Sequence, residues 1–346
     1  MEIKDAAFES KHDWNRFVAE NYPPVGAFMQ SWEWGDFQKD LGREVGRYVI
    51  MDDGKRIAAF MLVRYALPFG LAYDYAPRGP VIVKNAPPEK ILKIFDAIKD
   101  WAREKFPELV FFRLEPPLAD MPPGLQDSGF HIPPYYIQPR YNAMVSLDGS
   151  EAEIAASFHP STRSNLHRAE KRGVKAVVKV EVTPADYDAF SLMKKDTIAR
   201  NSGKNAYPSD RYFQSLFATV PFLAKDNRDE NVLSLAAFYG YHEGVPASAH
   251  FVLFFGKTAT YLYGASHTAH LNSKVDTYLH WQAMIEAKRR GCRYYDLGGI
   301  DEQKWPSLTA YKRQFRGKEL SYVGNVTLPF RKLLYHAYIS LWKIRH

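Results

Sequence analysis

The sequence is poor in the residues and motifs on which many enzyme classes depend. Among 346 residues it has one cysteine, Cys292, which excludes a disulfide framework and favours a reducing compartment. It contains no G-x-x-x-x-G-K-[ST] phosphate loop, no G-x-G-x-x-G, no G-x-S-x-G and no H-E-x-x-H. The 11 histidines show no spacing typical of metal ligands. We therefore expect neither a metal nor a cofactor.

Long apolar runs are absent as well. No stretch of 18 apolar residues occurs, and the first residues, MEIKDAAFESKHDW, lack the apolar core of a signal peptide. These two features predict a cytoplasmic protein without a membrane span. The net charge is +7 and the pI about 9.1, which favours a polyanionic partner such as RNA, a nucleotide or an anionic membrane.

What the chain does contain is one order of elements that occurs twice: a hairpin, a third strand, a helix and a fourth strand. In the first half we predict strands at Arg43–Met51, Arg56–Tyr65, Leu71–Tyr75 and Leu109–Leu114, with a helix at Pro87–Phe106. In the second half we predict strands at Val232–Tyr241, Pro246–Phe255, Thr260–Tyr263 and Arg293–Leu297, with a helix at Asp276–Arg290. The repetition indicates duplication of one α/β unit of the N-acetyltransferase (GNAT) type.

The duplication also predicts equivalent residues. Tyr73–Tyr75 corresponds to Tyr261–Tyr263, Phe111–Leu114 corresponds to Tyr294–Leu297, and Asp296 takes the place of Glu115. Further predictions concern single elements. We expect one basic helix over Glu151–Arg172, an N-cap at Asp276, a strand end at Gly298-Gly299, a strand at Leu320–Val326 and an apolar, aromatic helix at Leu328–His346.

Six short motifs, in order along nearly the whole chain, resemble those of a known family. They are Phe28–Gly35 (FMQSWEWG), Tyr75–Pro80 (YAPRGP), Pro160–Lys171 (PSTRSNLHRAEK), Tyr263–Ser266 (YGAS), Tyr295–Ile300 (YDLGGI) and Tyr311–Phe315 (YKRQF). In these motifs the chain is similar to the Fem family of peptidoglycan-bridge aminoacyltransferases, which includes the FemX, FemA and FemB proteins.

The resemblance implies an α/β (α+β) fold with two tandem GNAT-like acyltransferase domains that work without coenzyme A. It also implies transfer of an amino acid from aminoacyl-tRNA to a stem-peptide amino group of UDP-MurNAc-pentapeptide or lipid II, by a monomer. Residues 1–145 with 318–346 would bind the precursor, and residues 146–317 would hold the tRNA end and the catalytic site. No charged heptad run lies between Thr197 and Phe213, so the chain resembles the FemX type, which has no coiled-coil arm.

The resemblance further implies roles for individual residues. Lys312 would stabilise the oxyanion and a phosphate near the tRNA 3′ end. Glu115 would bind the acceptor amine or take its proton. Lys39 or the neighbouring Gln38, together with Arg211 or Arg200, would clamp the precursor diphosphate.

Other candidates come from charge and aromatic character. Tyr75 and Tyr263 would line a groove or pack in the core. The basic residues expected to contact tRNA phosphates are Arg163, Arg168, Lys171, Arg172 and Arg313. The C-terminal helix, with basic residues at both ends, is expected to dock on the first domain; contact with the inner leaflet of the membrane stays open beside it, and both can hold.

Two alternatives stay open at this point. A GNAT-type N-acyltransferase would use a coenzyme A donor, although the R/Q-x-x-G-x-G/A pyrophosphate pattern of such enzymes is absent. A non-catalytic protein that binds RNA or the cell envelope could have kept the same fold.

Overall fold

A computed structural model describes residues 1–6, 9–22, 27–224 and 229–345. The chain divides into two compact units, Met1–Arg140 with Ser321–His346 (unit 1) and Tyr141–Leu320 (unit 2). Each unit contains one mixed sheet with its own helices and its own apolar core. The structure therefore has the mixed α/β class and the two-unit organisation that the sequence predicts.

The elements of unit 1 begin with a short edge strand and two helices. In chain order they are β1 (Glu2–Asp5), α1 (Lys11–Asn21), α2 (Trp32–Asp40), β2 (Val45–Asp52), β3 (Lys55–Ala66), β4 (Ala72–Ala76), β5 (Val81–Ile82), α3 (Pro88–Lys105) and β6 (Phe111–Leu114). Asp53 and Gly54 form the β2–β3 turn with positive φ angles of 48° and 74°, as the Asp-Gly pair predicts. Ile94, Phe95 and Ile98 form the buried face of α3.

Unit 2 is continuous in sequence and follows directly. Its elements are β7 (Tyr141–Ser146), α4 (Glu151–Ser157), α5 (Pro160–Lys171), β8 (Lys175–Lys179), α6 (Pro184–Arg200), α7 (Asp210–Thr219), β9 (Ser234–His242), β10 (Val245–Phe255), β11 (Thr258–Ser266), α8 (Val275–Arg289), β12 (Tyr294–Ile300), α9 (Pro306–Arg313) and β13 (Lys318–Ser321). The chain then returns to unit 1 with β14 (Val326–Pro329) and α10 (Lys332–Arg345).

The two sheets share a strand order. In unit 1 it is β1-β2-β3-β4-β6-β14, with β5 paired to β3, and in unit 2 it is β13-β7-β12-β11-β10-β9-β8. Each sheet contains a parallel pair, β4 with β6 and β11 with β12. The later strand of each parallel pair, β6 or β12, has an antiparallel strand on its other side, β14 in unit 1 and β7 in unit 2. This match supports an internal duplication in which the closing strand of unit 1 comes from the end of the chain.

Several predicted boundaries are wrong for physical reasons. Residues 141–145, expected in the first domain, pair through β7 with β12 and lie in unit 2. The helix predicted over Glu151–Arg172 is two helices, because Pro160 cannot continue a helix interior and instead begins α5. The strand predicted at Leu320–Val326 is two separate strands, and the last helix begins at Lys332 instead of Leu328. Strand β8 was not predicted at all.

Two further corrections concern unit 2. Asp276 is not the N-cap of α8, because Lys274 occupies that position and Asp276 lies in the first turn. Gly298 and Gly299 do not end β12, which continues to Ile300 through an irregular step in its pairing with β7. In the part of the chain that the structure describes, no helix is long and apolar enough to cross a membrane.

Candidate active site

Lys312 is a buried lysine in the last turn of α9. Only 5% of its surface is accessible to solvent, and its Nζ donates a hydrogen bond of 2.7 Å to the carbonyl oxygen of Gly299. Burial lowers the pKa of Lys312 to about 8, although the nearby Asp296 carboxylate acts in the opposite direction. Among the described residues no second hydrogen-bond acceptor meets this ammonium group. Two of its three N–H donors therefore have no protein partner there.

The acceptor of this hydrogen bond lies on the irregular part of β12. Asp296 is buried, and its Oδ1 accepts hydrogen bonds from the Gly298 amide at 2.7 Å and from Asn142 Nδ2 at 3.2 Å. Gly298 has φ of +82°, and a Cβ built on it would lie 3.4 Å from Lys312 Nζ. A side chain at Gly298 would thus be strained by its backbone and would contact the lysine.

The helix that carries Lys312 is fixed to the end of the same strand. The hydroxyl of Thr309 donates to the Asp301 carbonyl at 3.0 Å and accepts from the Asp301 amide at 2.9 Å. Asp301 Oδ1 also accepts from the amides of Gln303 and Lys304. Since Pro306 begins the helix, this short loop sets where the lysine is placed.

A buried polar layer lies beside the lysine, and sequence reasoning missed it. The rings of His250 and His280 are 4.4 Å apart, and His280 Nδ1 lies 3.0 Å from the Tyr295 hydroxyl. Burial, the neighbouring His250 and the charge of Lys312 lower the pKa of His280 well below its usual value. Its imidazole is therefore neutral. Because both histidines lie inside apolar segments of a strand and a helix, spacing alone gives no signal for them.

An acid completes this layer. Asp276 Oδ1 lies 2.6 Å from the Ser248 hydroxyl and 3.5 Å from His250 Nε2. Burial would raise the pKa of Asp276, but hydrogen bonds from His250, Ser248 and Ser266 hold it below its usual value. The layer reaches the aromatic residues of α9 and its end, since the His280 ring lies 6.0 Å from Tyr311 of α9 and 5.4 Å from Phe315 just after it.

The start of α5 is attached to the residue that follows α9. The carbonyl of Gln314 accepts hydrogen bonds from the His159 amide at 2.9 Å and the Thr162 hydroxyl at 3.1 Å. Phe158, just before α5, packs edge-to-face on Phe315 with ring centres 5.3 Å apart. The basic helix and the buried lysine therefore belong to one local arrangement within unit 2.

The predicted tRNA contacts differ in how free they are. Arg168 and Lys171 are exposed on α5. Arg163 instead donates to the carbonyls of Ala156 and Phe158 at the end of α4, and Arg172 donates to the Asn272 carbonyl.

Arg313 differs from these four residues because its guanidinium forms ion pairs with two carboxylates. Its guanidinium pairs with Glu319 at 2.6 Å and with Glu302, which raises its pKa. Arg168 and Lys171 are thus the predicted contacts with the least internal pairing.

Glu115 in unit 1 is fully buried, contrary to the expectation that it faces a groove. Its carboxylate accepts hydrogen bonds from the Tyr75 hydroxyl at 2.6 Å and from the amides of Arg78 and Gln138 at 3.2 Å each. Both carboxylate oxygens are engaged, so this residue anchors three chain segments. That arrangement fits a structural role better than proton transfer to an acceptor amine.

Tyr75 shares this burial, which raises its pKa well above the usual value, so it packs in the core and does not line a groove. Tyr263 is half-buried among Tyr212 and Phe213 of α7. The strand register also corrects the predicted equivalences. Arg113 of unit 1 pairs with Tyr75, whereas Asp296 of unit 2 pairs with Thr260 and not with Tyr263. If Phe111–Leu114 is aligned on Tyr294–Leu297, Tyr75 therefore corresponds to Thr260, and Glu115 corresponds to Gly298 and not to Asp296.

The two candidates in each proposed diphosphate-binding pair differ in whether their side chains are available to bind a ligand. Gln38 is buried and accepts a hydrogen bond from Arg43, whereas Lys39 is exposed on α2. Arg200 donates to Thr268 Oγ1 at 2.9 Å and to the Ser266 carbonyl at 3.3 Å, so it attaches α6 to the end of β11. Arg211 is exposed on α7, and no described residue forms a hydrogen bond or ion pair with it.

One group of side chains in the described ranges has the composition of a metal site. Ligand atoms of His242, Glu243 and His270 lie within 4.8 Å of one another. The two histidine Nδ1 atoms are 2.9 Å apart, which an N–H···N hydrogen bond between the two rings explains. We assign no metal to this group, and the expectation of metal-free chemistry stays a prediction.

Comparisons with known proteins agree with this description. A family model described as "FemAB family" matches residues 222–343. A protein of Staphylococcus haemolyticus named lipid II:glycine glycyltransferase is 22% identical, over 84% of this chain and 85% of its own length. The crystal structure of FemX aligns with a TM-score of 0.79 at 18% identity, covering 98% of this chain and all of the other. A tandem GNAT protein from the clavulanic acid pathway aligns with a TM-score of 0.54 at 13% identity, over 95% and 98% of the two chains.

Proposed function

The chain belongs to the FemAB family and is an aminoacyltransferase, and on that premise we propose that it moves an amino acid from aminoacyl-tRNA to a stem-peptide amino group of a peptidoglycan precursor. The relative from Staphylococcus haemolyticus is named for lipid II and glycine, which supports a precursor of this class and an amino acid as the transferred group. The reaction would add an amino acid to the peptide bridge of the cell wall.

The proposed reaction is aminolysis of an ester. The neutral acceptor amine attacks the aminoacyl carbonyl, a tetrahedral oxyanion forms, and the ribose oxygen leaves with a proton as the amide bond is completed. No covalent enzyme intermediate is needed, because the amine itself is the nucleophile. The protein has to hold the two substrates together and stabilise the developing negative charge.

The single observation that carries the proposal is the buried, incompletely paired ammonium group of Lys312. A cation in a low-dielectric site stabilises an oxyanion more strongly than one in water does. Its fixed hydrogen bond to the Gly299 carbonyl keeps it in place before the substrate arrives. Glu115 is left out of the proposed catalytic set, since both of its oxygens are already bound.

Substrate binding is proposed on the same grounds of availability. Within unit 1 we assign the precursor diphosphate to Lys39, which is exposed, in preference to Gln38, which is buried and accepts a hydrogen bond from Arg43. In unit 2 Arg211 is the more available of the two predicted arginines, because Arg200 holds α6 to the end of β11. We assign tRNA phosphates to Arg168 and Lys171 on α5. In this proposal unit 1 binds the precursor and unit 2 the aminoacyl end of the tRNA.

Replacement of Lys312 tests the proposal. A mixed set of charged tRNAs and a nucleotide-linked pentapeptide are incubated with the wild type, with Lys312→Ala and with Lys312→Met. We expect both variants to lose turnover by about 10²–10³-fold, as for one oxyanion donor. Transfer by the wild type should also fall as pH rises through about 8, because the ammonium group then loses its proton.

Stability provides the control for folding. The pKa of Lys312 in the folded protein is about 8, below the 10.5 of an unperturbed lysine. The charged side chain therefore opposes folding at neutral pH, and this penalty fades between about pH 8 and 10.5. Lys312→Met should be more stable than the wild type at pH 7, by roughly 1–3 kcal/mol.

Three outcomes would contradict the proposal. Label that stays entirely on tRNA with the wild type would favour a non-catalytic binding protein. Transfer of an acyl group from acyl-coenzyme A in the same assay would favour a GNAT-type N-acyltransferase. Lys312→Ala with unchanged turnover would remove the lysine from the mechanism.

A further inference from the structure

The outward face of α10 is apolar, which is unusual for a helix at the surface. Leu333 is 87% exposed and Leu341 is 59% exposed, and Leu334 and Ala337 between them are exposed as well. Positions 333, 337 and 341 are four residues apart and therefore form one stripe along the helix. We call these four residues the outer stripe. Contiguous exposed apolar surface of this kind marks a binding surface.

The opposite face already holds the helix in place. Tyr335 is buried and packs on Phe111, Tyr338 packs on Tyr73, and Trp342 stacks on Tyr135 with ring centres 3.9 Å apart. Ile339 belongs to the same apolar cluster. Because these contacts fix the rotation of α10, the outer stripe does not turn inward to complete the core of unit 1.

A second element next to the helix exposes a large apolar side chain. Phe69 lies at the tip of the turn Pro68–Gly70 and is 99% exposed. It has φ of 63°, a strained backbone conformation for a bulky residue. Leu67 and Leu71 on either side of it pack in the cluster that contains Tyr338 and Ile339 of α10. The turn is thus held against the helix while its aromatic tip projects into solvent.

The charge around this surface has one sign. From Leu320 to His346 the sequence has no Asp or Glu. Arg331 and Lys332, at the start of α10, are exposed, and so is His336 one turn later. An apolar stripe next to basic residues complements an anionic bilayer surface, which attracts nearby Lys and Arg side chains.

We propose that α10 and the Phe69 turn form a docking surface for an anionic lipid bilayer. The helix lies in the interface plane with the outer stripe and Phe69 among the acyl chains, and Arg331 and Lys332 contact lipid phosphates. Its 14 residues span roughly 21 Å along the axis, too short for a membrane span but suited to lying flat. A protein partner would account for the apolar stripe but gives no reason for the complete lack of acidic residues in this segment.

Binding of the docking surface to a bilayer does not depend on the reaction, but the benefit of that binding to the enzyme rests on the proposed function. A lipid-linked acceptor is confined to the membrane, so an enzyme that docks there meets it in two dimensions. A nucleotide-linked acceptor is free in solution, and docking gives no advantage with it. This difference separates the two proposals experimentally.

Vesicle sedimentation with the full chain tests the docking surface. The probes are vesicles of phosphatidylglycerol and phosphatidylcholine in equal parts, and vesicles of phosphatidylcholine alone. We expect the wild type to sediment with the anionic vesicles and to be released by high salt. Leu333→Glu with Leu341→Glu should weaken binding by at least tenfold, because two leucine side chains no longer enter the apolar layer. Phe69→Glu should weaken it in the same direction.

The control variant is Leu192→Glu with Val180→Glu, which makes the same change at two exposed apolar residues of unit 2. It should bind vesicles like the wild type. Turnover on a nucleotide-linked pentapeptide should be unchanged in Leu333→Glu with Leu341→Glu, while turnover on a lipid-linked acceptor in vesicles should fall. If the wild type shows no turnover on either acceptor, the proposed function is refuted, while the sedimentation result still tests the docking surface.

The docking proposal is overturned if the wild type fails to sediment with anionic vesicles, or if the stripe variant sediments as well as the control variant. Sedimentation velocity tests whether a second copy of the chain occupies the outer stripe. A wild-type dimer that Leu333→Glu with Leu341→Glu converts to a monomer would assign the stripe to a second copy of the chain instead.

Discussion

At the scale of single residues, the environment of Lys312 depends on backbone geometry as much as on charge. The lysine donates a hydrogen bond to the Gly299 carbonyl, which lies at the irregular step in the pairing of β12. That step has a φ of +82° at position 298. Asp296 fixes the step by accepting the Gly298 amide. Glycine at this position therefore serves two purposes, the conformation of the strand and the space beside the ammonium group.

Gly298→Ala separates these purposes when it is compared with a second glycine. Alanine at this φ is expected to destabilise the protein by about 1 kcal/mol, and its Cβ would lie 3.4 Å from Lys312 Nζ. We expect turnover to fall at least tenfold, because relief of the strain at position 298 would move the neighbouring Gly299 carbonyl that holds Lys312. Steady-state kinetics and thermal unfolding of the same preparation measure the two effects.

Gly291→Ala is the matched control. Gly291 has φ of +81°, and an added Cβ there meets no atom within 4 Å. It should show a similar loss of stability with near-normal turnover. Equal losses of turnover in both variants would mean that strain alone, and not the position of Lys312, explains the result.

The residues of this site differ in how well the sequence predicts them. Lys312 follows from its motif, YKRQF, which places it in a short segment after a strand. His250 and His280 have no such signal, because their burial comes from the packing of β10 and α8 together. Glu115 shows the opposite error. A carboxylate after a strand suggests a reactive group, yet its two oxygens are taken up by contacts with segments distant in sequence.

At the scale of elements, α5 connects charge with the buried lysine. Its first turn is bonded to Gln314, two residues after Lys312, and its exposed basic residues follow further along the helix. Arg168 and Lys171 lie eight and eleven residues after Pro160, or roughly 12 and 16 Å along the axis. That spacing suits phosphates a few nucleotides from an aminoacyl end placed at the lysine.

Charge reversal on α5 tests this assignment. We expect Arg168→Glu with Lys171→Glu to raise the KM for aminoacyl-tRNA at least tenfold while kcat changes little, because these residues bind phosphates and do not contact the reacting atoms. The effect should shrink as salt is increased, since the interaction is electrostatic. Initial rates at several tRNA and salt concentrations measure it.

A control of equal charge change lies in unit 1. Lys93→Glu with Arg103→Glu alters two exposed basic residues of α3 and should leave the KM for tRNA near the wild-type value. If both double variants weaken tRNA binding alike, overall charge and not α5 is responsible.

Element prediction succeeded where periodicity was strong and failed where long-range pairing decides. The β2–β3 hairpin and the buried face of α3 follow from a turn pair and from helical spacing. Strand β8 has a weak pattern, with exposed Val177 and Val178, and exists because it pairs with β9 at the sheet edge. The extension of β12 past two glycines likewise depends on β7, which lies about 150 residues earlier.

At the scale of the whole molecule, the internal repeat predicted two similar units, but not how the chain is divided between them. Both sheets need an antiparallel strand beside the strand that follows the long helix. In unit 2 that strand is β7, which comes first in sequence, and in unit 1 it is β14, which comes last. Because one connection differs between the repeats, comparing their sequences could not locate the closing strand of unit 1.

This division predicts that the two units respond differently to loss of the last residues. A chain that stops after Ser321 keeps every strand of unit 2 but loses α10, which packs on Phe111 and Tyr73. It also loses β14, whose Val326 and Leu328 belong to the core of unit 1. We expect unit 1 to unfold while unit 2 stays folded. Hydrogen exchange of backbone amides should then be fast in β3 and β6 and remain slow in β10 and β11.

The fragment 141–321 gives the complementary measurement. It contains a complete seven-stranded sheet and a continuous core, so it should unfold in one cooperative transition by itself. Slow exchange in β6 of the shortened chain would show that unit 1 is stable without its closing strand. In that case the return of the chain to unit 1 would serve mainly to place α10, with its exposed leucines, on the surface of unit 1.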